Sequence, residues 1–168
     1  MLEAHSKPLP EVMSHPLVAL QAYETVSAAL ETARERGVHH FPVCSRELVV
    51  GMVCTCDLQE APLEKPVGEV MRPAVTLPAD RSSADAALLM KAAGVGSILV
   101  LDRRGQPCGI VTRGDLNREG PASDILQDVR CECCGSTSHL RKLGARTLCF
   151  SCGERAEEPQ AFDSGGGD

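Results

Sequence analysis

Five cysteines crowd one short stretch, CECCGSTSHLRKLGARTLCFSCGE, which runs from Cys131 to Glu154. They include two C-x-x-C pairs, Cys131–Cys134 and Cys149–Cys152, with 14 residues between the pairs. Two short loops that each offer two thiolates make a tetrahedral all-sulfur shell, which suits Zn2+. Gly135 and Gly153 follow the pairs directly, where a tight turn needs a residue tolerant of positive φ. CFSC alone reads as a redox motif, but the matched second pair weakens that reading. With all four positions filled by protein no site remains for water, so the metal is expected to be structural. Cys133 is then a spare, since its direct neighbour Cys134 leaves no spacer for a two-sulfur bite, and His139 is a weaker candidate for the fourth ligand. Stability points the same way. A segment of about 25 residues with one Phe and a few Leu cannot build a core, and domains this small usually need a metal or disulfides.

A second constellation is GIVTRGDL at 109–116. Here an apolar run ends at Thr112, and Asp115 falls three residues later, in the first turn of an expected helix. Helix N–H groups and a hydroxyl at such a junction suit phosphate oxygens, and a carboxylate beside them can accept from both hydroxyls of a ribose. The same T-x-x-D spacing is also an N-terminal helix cap that needs no ligand. Arg113, between the two, faces either a phosphate or solvent. His39 and His40, beside Phe41-Pro42, read as packed or solvated rather than metal-bound.

Composition narrows the function classes. The chain has 168 residues, 43% of them hydrophobic, so one or two small domains with a real core are within reach. Aromatics are limited to Tyr23, Phe41, Phe150 and Phe162, which argues against a base-stacking platform for single strands. A net charge of −6 opposes general nucleic-acid binding. The charge is uneven, with 5 basic and 3 acidic groups in 127–155 and 4 acidic groups in 156–168. No apolar stretch approaches the roughly 20 residues that span a bilayer, and MLEAHSKPLPEVM lacks a signal-peptide core. A soluble, cytoplasmic protein is expected, in which cysteines are metal ligands or buried hydrophobes rather than disulfides. Cys44, Cys54, Cys56 and Cys108 fall on expected strands as small hydrophobes.

The elements that position these residues come in duplicate. VMSHPLVAL at 12–20 is echoed by VMRPAVTL at 70–77, and GMVCTCDL at 51–58 by GIVTRGDL at 109–116. Val26–Leu30 aligns with Ala84–Leu88 at an offset of 58, and Gly37-Val38 with Gly94-Val95 at 57. Each unit of about 58 residues reads as one supersecondary motif. It predicts a short strand (Leu17–Leu20; Val75–Leu77), a helix (about 25–36; about 82–93) stopped near Gly37 or Gly94, two strands (Phe41–Cys44 and Val49–Cys54; Ser97–Leu101 and Cys108–Thr112) and a second helix opened by Asp57 or Asp115. The fold class is α+β, with two β-α-β-β-α repeats.

The VM-x-P starts, the small-residue helices, the strands GVHHFPV and GVGSILV and the G-h-h-x-x-x-D closures resemble the CBS domain family, over about 110 residues between Val12 and Asn117. The resemblance implies a pseudo-two-fold pair with two clefts and a homodimer built from it. The chain then divides into a first repeat with lead-in (1–64), a second repeat (65–126), a cysteine module that resembles a zinc ribbon (127–155) and an acidic, glycine-rich tail (156–168) expected to be disordered. The CBS resemblance also implies that Thr112 contacts phosphate and Asp115 holds ribose, with the base of an adenine nucleotide in a slot around Val75, Thr76, Ser97 and Ile98. The first repeat keeps Asp57 but has Cys54 in place of the hydroxyl residue, and a thiol is a weak donor. One intact and one degenerate cleft are expected.

No catalytic constellation is visible. The expected function is a non-catalytic regulator that binds AMP, ADP, ATP or an S-adenosylmethionine-like ligand, with a structural zinc module for docking a protein partner. The alternative is a nucleic-acid-associated adaptor in which Arg141, Lys142 and Arg146 contact phosphate. A third class is a purely structural role.

Overall fold

A computed structural model describes residues 6–119, 125–126, 131–133, 140–149 and 152–154. The chain divides into two units, Met1–Asp128 and Val129–Asp168.

The first unit begins with a helical turn α1 (Leu9–Val12) and then builds the first repeat from β1 (Leu20–Gln21), α2 (Val26–Arg36), β2 (His40–Ser45), β3 (Leu48–Cys54) and α3 (Thr55–Glu60). A 3-10 turn at Val67–Glu69 leads into β4 (Thr76–Pro78), α4 (Ser83–Ala93), β5 (Ser97–Leu101), β6 (Pro107–Thr112) and α5 (Arg113–Asn117). Each repeat has a three-stranded sheet in sequence order, its first pair parallel and its second antiparallel. The architecture is α+β, as the duplicated pattern implies. Both first strands are displaced from their expected positions. Only Leu20 and Gln21 pair with β2, and Thr76 to Pro78 pair with β5.

The long helices form where their ends are chemically marked. Thr25 and Ser82 cap them by accepting the N–H of Ala28 and Asp85, and Gly37 and Gly94 end them in the left-handed conformation. These caps correct the alignment of the repeats. Thr25 matches Ser82 and Gly37 matches Gly94, so Val26, Ala29 and Ala33 correspond to Ser83, Ala86 and Met90, all buried, at an offset of 57 rather than 58. The extra residue enters later, in the longer turn between β5 and β6, and from there Cys54 corresponds to Thr112 at 58.

One face of each sheet packs on its own helices. In the first repeat Phe41, Val43 and Val53 meet Val26, Ala29 and Ala33 in a buried cluster. The equivalent Ile98, Val100 and Val111 are fully buried too. The opposite faces meet each other, for Met52 of the first repeat clusters with Leu99 and Ile110 of the second.

The lead-in segments are exchanged between repeats. Leu9 N–H donates to the Arg81 carbonyl and Ser83 N–H to the Lys7 carbonyl, at 3.0 and 2.8 Å. In the same way Val67 N–H donates to Glu24 and Val26 N–H to Lys65, at 2.8 and 2.9 Å. Further along, Ser14 bridges to Ile110 and Arg72 to Met52. Each lead-in therefore completes the other repeat, and this reciprocity is the pseudo-two-fold relation in hydrogen-bond form. It also explains the glycine of each closure. A Cβ on Gly51 would lie 2.7 Å from Met71 Sδ and 2.8 Å from the Arg72 carbonyl oxygen, while one on Gly109 would collide with the Met13 side chain. The methionine of each lead-in, Met71 or Met13, occupies the space that the glycine leaves open.

Within the second unit, β7 (Leu140–Leu143) and β8 (Arg146–Cys149) form an antiparallel hairpin whose turn holds Gly144 at φ 60. Among the described residues no helix is long and apolar enough to cross a membrane.

Candidate functional sites

Strand pairing assembles the second-repeat site. Ser97 lies opposite Thr112 across β5 and β6, Leu99 N–H donates to the Val75 carbonyl at 2.9 Å, and Thr76 pairs with Leu99. Alternation along the strands puts Ser97, Thr76 and Thr112 on the sheet face turned toward the first repeat. Ile98, also expected in the slot, does not join them. Its side chain is fully buried on the opposite face, against the repeat's own core, because it is one residue out of phase with Ser97.

At the junction that follows, Thr112 and Asp115 form a reciprocal cap. Asp115 Oδ2 accepts the Thr112 N–H at 2.8 Å and its hydroxyl at 2.7 Å, while Thr112 Oγ1 accepts the Asp115 N–H at 3.3 Å. Asp115 Oδ1 accepts from Arg118 Nη2 at 2.6 Å, in an ion pair with the carboxylate side buried. The expected first-turn N–H donors are thus partly committed already, and α5 is only five residues long. The capping reading of T-x-x-D is correct as far as it goes. Beside the cap, Arg113 donates its backbone N–H to the Gly96 carbonyl at 3.1 Å and buries Nη2 with no hydrogen-bond partner among the described residues. Burial lowers its pKa from the ordinary guanidinium value. A buried donor without an acceptor carries a cost of about 1–3 kcal/mol, which an anionic group placed there relieves.

The first repeat repeats the geometry with different chemistry. Cys54 caps α3, donating its thiol to Asp57 Oδ2 at 3.1 Å and accepting the Asp57 N–H at 3.5 Å. Asp57 Oδ1 accepts from Arg72 Nη2 at 2.6 Å, and Arg72 belongs to the second repeat's lead-in. Hydrogen bonding to Cys56, burial and the Asp57 charge push the Cys54 thiol well above the ordinary range. It is a protonated donor here. Cys56 itself lies in α3 rather than on a strand, since the chain turns helical at Thr55. The cysteines on strands are buried or half-buried, and burial raises the pKa of Cys44 and Cys108.

Sequence reasoning did not single out Arg118, Arg72 or the position of His40. Arg118 follows Asp115 at i+3, a spacing at which helical side chains meet. Arg72 and His40 carry no local signal, because both act across the repeats. The ring of His40 lies 3.3 Å from where a Gly96 Cβ would stand, on the face shared with the second repeat.

In the second unit Cys131, Cys149 and Cys152 are buried and bring their sulfurs within 4.8 Å of one another. Sulfurs at Zn–S distances of about 2.3 Å stand about 3.8 Å apart at tetrahedral angles, so this set fits a thiolate-bound metal. Cys134 and His139 lie outside the described residues, and Cys133 is exposed. Glu132 ties the first loop to the hairpin: its N–H donates to the Thr147 carbonyl at 2.9 Å and its Oε1 accepts the Thr147 N–H at 2.7 Å. Of the basic residues considered for phosphate contact, Arg146 pairs with Glu132 at 3.6 Å, while the side chains of Arg141 and Lys142 are outside the described set.

Fold and junction together define a tandem α+β repeat module in which the strand–helix junction that closes each repeat carries an acid in the first helical turn. The CBS domain family model matches residues 10–64 and 67–121, and the chain belongs to that family. Among solved structures the chain is similar to TA0289, a conserved CBS domain protein of unknown function from Thermoplasma acidophilum (23% identity, 77% of this chain and 84% of that one, TM-score 0.65). It is similar as well to the CBS domain pair of protein MJ0100 in complex with 5′-methylthioadenosine and S-adenosyl-L-methionine (20%, 67% and 94%, 0.62). A third similar structure is CBSX2 in complex with AMP (26%, 66% and 93%, 0.57). No curated protein matches the chain.

Proposed function

We propose that this protein is a non-catalytic regulator that binds one adenosyl ligand in the second-repeat cleft and carries a structural metal in its C-terminal unit. The observation that carries the ligand reading is the contrast between the junctions. The second offers a hydroxyl, a carboxylate and a buried guanidinium nitrogen with no partner among the described residues, Thr112, Asp115 and Arg113. The first offers a protonated thiol and an acid tied to the other repeat. Similar structures hold AMP or S-adenosylmethionine, which supports the adenosyl class. In this reading Asp115 accepts from the ribose, Thr112 and Arg113 face the charged end of the ligand, and Val75, Thr76 and Ser97 border the base.

For the second unit, Cys131, Cys149 and Cys152, joined by Cys134 from the same C-x-x-C pair, would hold Zn2+, which supplies folding energy rather than chemistry. The unit then serves as a docking module for a protein partner, and the repeat pair forms a homodimer in the cytoplasm. Arg146 is already paired with Glu132, which favours protein docking over nucleic acid. The mechanism is differential affinity, in which ligand between the repeats favours one inter-repeat or dimer geometry. Isothermal titration of the zinc-loaded protein with AMP, ADP, ATP and S-adenosylmethionine tests the proposal. Saturable binding lost in Asp115→Ala is expected, and no binding by folded protein overturns it.

A further inference from the structure

Both acids at the junctions are held by arginines, but the arginines come from different places. Arg72, which holds Asp57, is bonded backbone to backbone with Met52 at 2.8 Å in both directions, so that ion pair ties one repeat to the other. Arg118, which holds Asp115, follows it by three residues at the end of α5, and its side chain is 73% exposed. Asp115 Oδ2 already accepts twice from Thr112. The oxygen left for a vicinal diol is Oδ1, which Arg118 occupies at 2.6 Å.

We propose that Arg118 is a displaceable latch on Asp115: a ribose takes Oδ1 from the guanidinium, so Arg118 sets the affinity of the second cleft and makes it salt-dependent even for an uncharged nucleoside. The inference rests on the adenosyl reading of that cleft. The two hydroxyls of a cis diol donate side by side, and a guanidinium held on the same oxygen leaves too little room for both. Displacement is cheap because the guanidinium moves into water it already touches. The guanidinium end of the pair is exposed, which keeps the latch weak, and it lowers nucleoside affinity by about two- to fivefold. Screening by salt weakens the pair further and so favours the nucleoside. Arg72 serves the other junction, where it holds Asp57 while its backbone bridges the repeats.

The test is isothermal titration of the full zinc-loaded chain with adenosine, at low and at high salt, for wild type, Arg118→Gln, Arg118→Lys and Arg72→Gln. Adenosine carries no charge, so a general loss of positive potential does not confuse the reading. The wild type is expected to bind more tightly as salt rises. Arg118→Gln is expected to bind about two- to fivefold more tightly than wild type at low salt and to show no salt dependence. Arg118→Lys, which keeps the charge, is expected to stay close to wild type, while Arg72→Gln lowers the melting temperature without any gain in affinity. Equal or weaker adenosine binding by Arg118→Gln at low salt overturns the latch and leaves the cleft reading standing. Absence of any heat with adenosine, AMP or S-adenosylmethionine in the folded wild type overturns the cleft reading itself.

Discussion

Asp115 is buried and accepts from Thr112 and Arg118. Its cap role and its proposed ligand-binding role are separately measurable, and substitutions separate them. Thr112→Ala removes two of the three cap bonds and should cost about 0.5–2 kcal/mol of stability with a folded protein remaining. Asp115→Asn keeps an acceptor for the Thr112 hydroxyl but no longer offers a charge, and should weaken nucleotide binding at least about tenfold, or about 1.4 kcal/mol. Calorimetry and denaturant titration read the two effects independently. Thiol chemistry follows position in the same way. Cys54 is pushed up by Cys56, burial and Asp57, and Cys44 by burial, so at neutral pH neither offers much thiolate. Mass spectrometry after brief alkylation of the metal-loaded protein should find label on exposed Cys133 well before Cys54 or Cys44.

At the scale of elements, the exchanged lead-ins are what hold the repeats together. Val67 sits inside the first repeat's core, and Leu9, its counterpart, is fully buried beside the second. Gly109 and Gly51 face the crossing methionines, and adding a methyl there overpacks the contact by about 1–3 kcal/mol. The two sites differ in what blocks them. Around Gly109 all three nearest atoms belong to the Met13 side chain, whereas Gly51 also faces the Arg72 carbonyl oxygen at 2.8 Å. Gly109→Ala should therefore be partly rescued by Met13→Ala, while Gly51→Ala should resist rescue by Met71→Ala. Melting temperatures of the four variants and the two double mutants decide it. In the second unit, the Glu132–Thr147 bonds act as an extra strand pairing between the first cysteine loop and β8. Glu132→Ala should loosen zinc measurably in a competition titration with a chromogenic chelator. Glu132→Gln, whose amide oxygen still accepts the Thr147 N–H, should lose less.

For the whole molecule, the division into two units has an energetic consequence. The repeat pair has apolar clusters of its own, whereas among the described residues of the second unit the buried cluster is Cys131, Leu148, Cys149 and Cys152, with Leu140 and Leu143 packed on it. Three of those four buried residues are the thiols proposed as metal ligands, so the core and the metal site are the same object. Chelation at neutral pH should therefore unfold the second unit while leaving the first intact. Limited proteolysis should then cut beyond residue 128 and spare the repeats, and far-ultraviolet circular dichroism should fall only by the small hairpin contribution. A ligand in the second cleft should protect only the first unit.

Much of this was legible in the chain. Caps, glycine stops and alternating strands are local signals, and they located α2, α4 and the long strands to within a residue or two. The C-x-x-C pairs announced a thiolate cluster, and three of its sulfurs do converge. Other features depend on contacts between residues far apart in sequence. Only the folded chain shows that each lead-in crosses to the opposite repeat, that Ile98 points away from Ser97, and that Arg72 reaches Asp57. It also shows that the acid of the second junction is held by Arg118. The physical reason is that capping and periodicity are determined by residues within one turn of each other, whereas the partner of a buried charge is whichever group the packed repeats bring alongside it.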